Sequence, residues 1–470
     1  MSMNTQPNPS QPTLNHAALT DVSIYSARLV IPVTAPVIVN GSVAVSGRRV
    51  IHVGTRNWVR QELSDELAQG AHVREYYWDG ILMPGLVNAH THLQYTGMAA
   101  VGKGNYDDFH AWETAFNDIY DDDTVSHDWQ HWAKLGARQM VESGTTAAAD
   151  IVTDAEAAIA LTSQHLHGIS YWEVMGWNNE DWEHRGLSQL NADLNYLKNE
   201  HVNAIGISPH APYTLDSEPF VDLPSIARML NMRLHIHLAE TPLEASANPP
   251  VLSTYSSPEW QNQYWTSYRD LKNQGRRASA IQFMDLLGSL GPDVHIAHGV
   301  WANEEDRRIL RQRQVYVALC PRSNRITNTG RDAPVREYLE EGNALSIGTD
   351  SLSSSPSLDV MDECVALYDL ARSQGYQRPD LSHRLIHMAT LGGAASMGMH
   401  VGMNRIGQLN SGALADLAFF DIPVKSRSPQ ELEETFDNLV RYGGGTNRAT
   451  VISGSLVYGQ DTLDTEDSIA

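Results

Sequence analysis

The sequence predicts an α/β protein, a (β/α)8 TIM barrel carrying a small composite β-sandwich, and three observations lead there. Through the middle of the chain, apolar runs of strand length alternate with segments of helix length, the pattern of βα units around a parallel sheet. Eight such runs occur, enough for a closed barrel, whose typical size is ~250 residues before insertions. Short β-type runs broken by Pro and Gly fill both ends of the chain, as if one small domain were assembled from the two. An open doubly wound sheet would share the alternation, but it would usually carry a Gly-rich phosphate loop after its first strand, and none is present.

The elements are expected in the following order. Residues 1–16, rich in Pro, Asn, Ser and Gln, read as a disordered tail. Strands follow at Val22–Tyr25, Ala27–Ile31, Val37–Val45 and Arg49–Val53, ending at Tyr76–Trp78, and the same texture resumes at Ala415–Phe420 and Ala449–Val457. Residues 17–80 and 404–461 are thereby assigned to the β-domain, 81–403 to the barrel and 462–470 to a flexible tail. Barrel strands are predicted at Ile81–Leu93, Thr145–Ile151, Gly168–Val174, Ala204–Ser208, Arg233–Leu238, Val294–Gly299, Val315–Cys320 and Ala344–Gly348. Helices are predicted at Asp128–Val141, Leu190–Asn199, Pro224–Leu230, Glu304–Gln314 and Val335–Glu341.

Bulk properties narrow the function. With 33 basic against 56 acidic residues the formal net charge is −23. That excess repels phosphate backbones and anionic lipid, so nucleic acid and membrane surfaces are poor partners. Two cysteines, Cys320 and Cys364, cannot form a disulfide framework and read as reduced core thiols. The first twenty residues lack the apolar stretch of a secretory signal, and no apolar run approaches the ~20 residues of a membrane span. A soluble cytoplasmic protein is expected.

In such barrels chemistry sits at the carboxyl ends of the strands. The first predicted strand ends on Asn88-Ala89-His90-Thr91-His92, and a period of two lets His90 and His92 share one ion. The fourth ends on Ser208-Pro209-His210, the fifth carries His235 and His237 with Glu240 beyond, the sixth holds His295 and His298, and the eighth ends on Gly348-Thr349-Asp350-Ser351. One buried histidine is more often a hydrogen-bonded core residue than a ligand, and His235 is read that way. The set is different: so many buried polar groups need partners, and one metal ion partners several at once. Phe109 and Trp112, or Trp172 and Trp177, are candidate pocket walls for a flat substrate, though aromatics at such spacings are as often core. Asp121-Asp122-Asp123 reads as a solvated loop.

Taken together, PGLVNAHTHLQYTGM (Pro84–Met98), HLAETPLE (His237–Glu244), AHGVWANEED (Ala297–Asp306), GTDSLSSSPSLDVMDE (Gly348–Glu363) and IGQLNSGALADLAFFD (Ile406–Asp421) resemble the amidohydrolase superfamily, in its single-metal deaminase and chlorohydrolase branch. The resemblance implies His90, His92, His237 and Asp350 as metal ligands, Glu240 as proton shuttle, His298 beside the reacting water and His210 against substrate. Trp112, Gln94 and Ser351 are expected to join the substrate contacts. The absence of a lysine at the end of the fourth strand argues for one ion, zinc before iron, since imidazole and carboxylate suit both. The implied reaction is hydrolytic deamination of an amino-substituted heterocycle, with adenine-type nucleosides such as aminodeoxyfutalosine foremost. Chlorohydrolysis or amide hydrolysis is the alternative, and a non-catalytic binding protein ranks last because all four ligands are present. A homodimer is expected from the same resemblance. The long segment 245–277, with Tyr255, Trp260, Tyr264, Trp265 and Tyr268, is expected to form a lid over the substrate.

Overall fold

The computed structural model describes residues 21–465 apart from 69, 123, 125, 201 and 247–262. The expected tail at 1–16 and about half of the expected lid, residues 247–262, therefore lie outside the described residues, as does Asp123.

The chain opens with β1 (Asp21–Val30), β2 (Ile38–Ser46), β3 (Arg49–Thr55) and β4 (His72–Pro84). The barrel strands are β5 (Leu86–Thr91), β6 (Thr145–Val152), β7 (His167–Val174), β8 (Ile205–Pro209), β9 (Leu234–Leu238), β10 (Val294–His298), β11 (Tyr316–Leu319) and β12 (Leu345–Ile347). The chain closes with β13 (Leu417–Phe420), β14 (Asn447–Ile452), β15 (Ser455–Tyr458) and β16 (Asp464–Thr465). Strands β5 to β12 form one parallel sheet in chain order. The others form a separate sheet from both chain ends, in the order β15-β14-β13-β4-β1-β2-β3 with β16 also on β4.

Three boundaries differ from the sequence reading. Ile81–Leu93 is not one strand. Ile81 to Pro84 finish β4 and pair with Leu417–Phe420, and the chain changes sheets at Pro84-Gly85. There the Gly85 N–H goes to the Asp416 carbonyl and the Leu86 N–H to that of Gly144. The Pro84-Gly85 pair marks the change in the sequence itself, as a dipeptide that punctuates local structure, and the single predicted strand runs through it. The break expected between Val22–Tyr25 and Ala27–Ile31 is also missing, because buried Ser26 bonds across to Ser42 at 2.7 Å and the strand runs through. Finally, Asp464 and Thr465 pair with Tyr77 and Tyr76, so ordered chain reaches into the expected flexible tail.

Most predicted helices stand, with one starting early. Asp128 caps Trp129–Glu142, and Asn303 with Asp306 forms a capping box on Glu304–Arg313. The helix expected at Pro224 begins instead at Ser217, capped by Asp216, with Pro224 inside it. Proline removes the bond to the carbonyl four residues back. Here that carbonyl, on Phe220, accepts the Ser289 hydroxyl at 2.7 Å, so the helix tolerates the substitution of partners.

The barrel's last seam, β12 to β5, is closed largely by one side chain. Asn88 donates to the Thr349 hydroxyl at 2.7 Å and accepts the Thr349 N–H at 3.1 Å, and the Asp350 N–H reaches the His90 carbonyl at 2.9 Å. Gly348 permits the approach, since a Cβ there would lie 2.6 Å from that of His90. Both cysteines are buried and free. Among the described residues no helix is long and apolar enough to cross a membrane.

Candidate metal centre and active site

The carboxyl ends of the barrel strands bring the predicted histidines together. His90 is the penultimate residue of β5 with His92 just beyond the strand, His237 lies on β9, His298 ends β10 and Asp350 follows β12, all buried. The ring nitrogens of His90, His92 and His237 lie within 4.8 Å of one another, and so do donor atoms of His90, His298 and Asp350. Asp350 Oδ1 is 3.6 Å from His90 Nε2 and 3.7 Å from His92 Nε2, while His92 Nε2 and His237 Nε2 face each other at 3.1 Å. Ala239, His298 and Asp350 all adopt left-handed backbone, with φ of 55°, 73° and 59°. That conformation is uncommon for these residue types and clusters at functional sites. Here it turns the chain at three strand ends that carry the site.

Hydrogen bonds behind the ring decide where each lone pair points. His237 Nδ1 donates to the His210 carbonyl at 3.0 Å, which leaves Nε2 as the free acceptor. His298 Nδ1 donates to Asn324 Oδ1 at 2.9 Å, with the same result. His90 Nδ1 meets His235 Nε2 at 3.2 Å. His235 thus stands behind a candidate ligand, outside the cluster, as the sequence reading had it. His90 Nε2 and His298 Nε2 have no hydrogen-bond partner although fully buried. Burial holds His90, His235 and His237 well below the ordinary imidazole range, pushes His92 down to about 4 and takes His210 to about 3. Neutral imidazoles with lone pairs converging on a carboxylate are the donor set that a divalent cation takes. The residues fit the implied metal.

Glu240 stands next to this cluster. Its Oε1 is 3.4 Å from His298 Nε2, and its Oε2 accepts the Tyr213 hydroxyl at 3.1 Å. Burial raises its pKa. Glu244 fixes the turn that presents it, accepting the N–H groups of Ala239, Glu240 and Thr241 at 2.6, 2.9 and 2.8 Å. Asp350 is held likewise: the Ser323 hydroxyl donates to Oδ2 at 2.6 Å and the Ser351 N–H to Oδ1 at 2.7 Å.

A cavity of about 140 Å³ opens onto these groups, walled by Phe109, Trp112, Phe116 and Tyr213, with His210 and Ser351 also on its lining. Trp112 is fixed by its ring N–H on the Ser353 carbonyl at 2.9 Å. Gln94 does not join them. The chain leaves the strand after Thr91 and winds into a 3-10 turn, Leu93–Met98, which ends the period of two. Both ends of the Gln94 amide then hold the loop after β6, at Thr153 and Asp154. Trp172 and Trp177 pack on the core instead of lining the cavity. The described part of segment 245–277 is anchored: Trp265 and Tyr268 are buried, with Trp265 5.9 Å from Tyr213.

Several participants escaped the sequence reading. Glu173, near the end of β7, lines the cavity. Asp150, near the end of β6, accepts the Leu93 N–H at 3.0 Å and is pushed up to about 8 by burial. A carboxylate near the end of a predicted barrel strand was the available signal for both. Ser323 and Asn324, on the short helix Pro321–Ile326, and Tyr213, in a turn, offered none, whereas Glu244 closes a capping box with Thr241 whose T-x-x-E spacing was a signal.

Comparison with known proteins agrees with this geometry. The model of the Amidohydrolase family matches residues 81–457. The chain belongs to that family. It is 29% identical over 454 residues to a 5-methylthioadenosine/S-adenosylhomocysteine deaminase of Moorella thermoacetica, covering 94% of this chain and 96% of the relative. It is 27% identical over 403 residues to a 5'-deoxyadenosine deaminase of Methanosphaera stadtmanae, covering 83% and 85%. Among solved structures, a zinc-bound adenosine deaminase from Xanthomonas campestris superposes with a TM-score of 0.75 at 22% identity, covering 94% of both chains. At that identity the likeness concerns the fold, and it places this amidohydrolase among barrels with an appended sheet.

Proposed function

We propose that this amidohydrolase is a hydrolytic deaminase that replaces the amino group of an adenine-type nucleoside by oxygen and releases ammonia. The position of Glu240 carries the reading: a buried carboxyl of raised pKa, hydrogen-bonded by Tyr213 and 3.4 Å from His298, beside the donor cluster. A group so placed can protonate a ring nitrogen and then the departing amine, general acid–base work worth typically 10²–10⁴-fold. Asp350 takes a proton from the attacking water, and His298 presents its Nε2 to that water. Aromatic walls suit a flat base. The names of the two curated relatives support an adenosine derivative as substrate.

His90, His92, His237 and Asp350 would hold one divalent ion, for which we propose zinc, with iron(II) second. Such an ion supplies Lewis acidity that lowers the pKa of water from about 15.7 to roughly 7. The absence of lysine from the end of β8 (Ser208-Pro209-His210) supports a single ion. We further propose a cytoplasmic homodimer, the free buried thiols being in keeping with a reducing compartment.

The test is ammonia release from adenosine, 5'-deoxyadenosine, methylthioadenosine, S-adenosylhomocysteine, aminodeoxyfutalosine, guanine and cytosine, with metal analysis of the same preparation. Turnover of the adenine nucleosides with about one ion per chain is expected. A metal-loaded enzyme that releases no ammonia from any of them would overturn the reading and favour another hydrolysis.

A further inference from the structure

Once the donor cluster and Glu240 are assigned, one buried acid on the cavity wall has no role. Glu173 is 6% exposed. Its Oε2 accepts the Thr153 hydroxyl at 2.7 Å, and Thr153 in turn lies 3.0 Å from the Tyr95 hydroxyl. That relay fixes the carboxyl group. Its Oε1 has no hydrogen-bond partner, although it is buried and 3.9 Å from His210 Nε2. Burial pushes the carboxyl up to about 7. A buried acceptor left open is destabilising unless a partner arrives, and the cavity is where one can arrive.

Strand order says which part of a substrate meets it. The reacting groups stand on β5, on β9 and β10 and after β12, whereas Glu173 and His210 belong to β7 and β8. A nucleoside whose amino-bearing carbon sits at Glu240 and His298 extends its sugar toward β7 and β8. Among the described residues, the wall there and around the mouth carries Glu113, Glu173, Glu240 and Asp350 and neither lysine nor arginine. On the β7 and β8 side, a phosphate or a carboxylate tail would meet the Glu173 carboxyl with no basic side chain on the wall to receive it.

Resting on the deaminase reading, we propose that Glu173 is a specificity-determining residue: its free oxygen accepts a hydrogen bond from a sugar hydroxyl of the substrate and turns away anionic substituents. A site built to bond a hydroxyl rejects the analogue lacking it, because its own buried group is left unpaired.

The experiment measures kcat/KM by ammonia release for the metal-loaded wild type and Glu173→Gln on adenosine, its 2'-, 3'- and 5'-deoxy analogues and adenosine 5'-monophosphate. In the wild type one deoxy analogue is expected to lose about 10- to 100-fold, mostly in KM, and the monophosphate at least as much. E173Q is expected to lose about tenfold on adenosine and to stay within about twofold of wild type on that same analogue. The wild-type series stands alone if E173Q does not fold. Equal losses by E173Q on every substrate would overturn the proposal, as would a monophosphate processed as well as adenosine. A second metal ion per chain that E173Q loses would do so too, making Glu173, His210 and His237 a metal site instead. Wild type inert toward all five nucleosides sinks the deaminase reading and this one together. An active wild type that ignores the missing hydroxyls sinks this one alone.

Discussion

The barrel has a cavity at each end, and the larger one is not where the chemistry lies. At the amino ends of β11 and β12 a cavity of about 760 Å³ is lined by Ile31, Val37, Tyr316, Leu345 and Phe436. Its charged groups are engaged with one another: His383 pairs with Glu433 at 3.0 Å, and Arg384 with Asp380 at 2.8 Å. At the carboxyl ends the cavity is about 140 Å³, yet five candidate donors and Glu240 converge there, with ring nitrogens of His90, His92 and His298 left unpartnered. Volume reports where side chains fail to meet. Convergent unsatisfied groups report where something else is meant to.

The strongest test of this contrast exchanges one residue from each end. Asp350→Asn is expected to lower kcat/KM by on the order of 10³-fold or more and to reduce bound metal, read by kinetics and elemental analysis. His387→Ala, in the larger cavity, is expected to stay within about twofold of wild type. A large loss from the latter would break the comparison. Glu240→Gln comes next, with kcat down about 10²–10⁴-fold and metal content unchanged, which separates proton transfer from ion binding.

Smaller effects sharpen the boundary between site and scaffold. Asn88→Ala strands the buried Thr349 N–H and is expected to cost about 1–3 kcal/mol in denaturant unfolding. The smallest effect concerns pH. Burial opposes protonation of His167, but the Asp416 carboxylate 3.3 Å away outweighs it and raises the pKa above the ordinary value. A raised histidine stabilises the fold fully below about pH 6.5 and loses that contribution as pH climbs through the folded value. The difference in melting temperature between wild type and His167→Gln is therefore expected to shrink from pH 6 to pH 9. Growth of the gap with pH would contradict the assigned pairing.

The two ends also differ in how much of them could be read from sequence. His90, His92, His237, His298 and Asp350 were legible because strand periodicity and the rule of carboxyl ends say where a strand-borne side chain points. Glu240 was expected from the family resemblance, as the acid three residues beyond His237. Gln94, expected among the substrate contacts, instead holds the loop after β6, because the backbone turns into a 3-10 helix at Leu93. The break at Pro84-Gly85 was signalled by that dipeptide, but the apolar residues on both sides, buried alike in either sheet, let one strand be read through it. Groups that hold the reacting residues from behind across the fold, such as Asn324 and Ser323, depend on tertiary approach and leave no local trace.

The seam between β5 and β12 has a further consequence, for the order of events during synthesis. His90 and Asp350 belong to the first and last strands of the barrel, and the Asp350 N–H is bonded to the His90 carbonyl. A growing chain carries His90 and His92 early but cannot offer the fourth donor until the final barrel strand has emerged. Capture of the proposed ion would thereby report that the barrel is complete: a chain truncated before Asp350 would lack that donor and leave the seam unsealed.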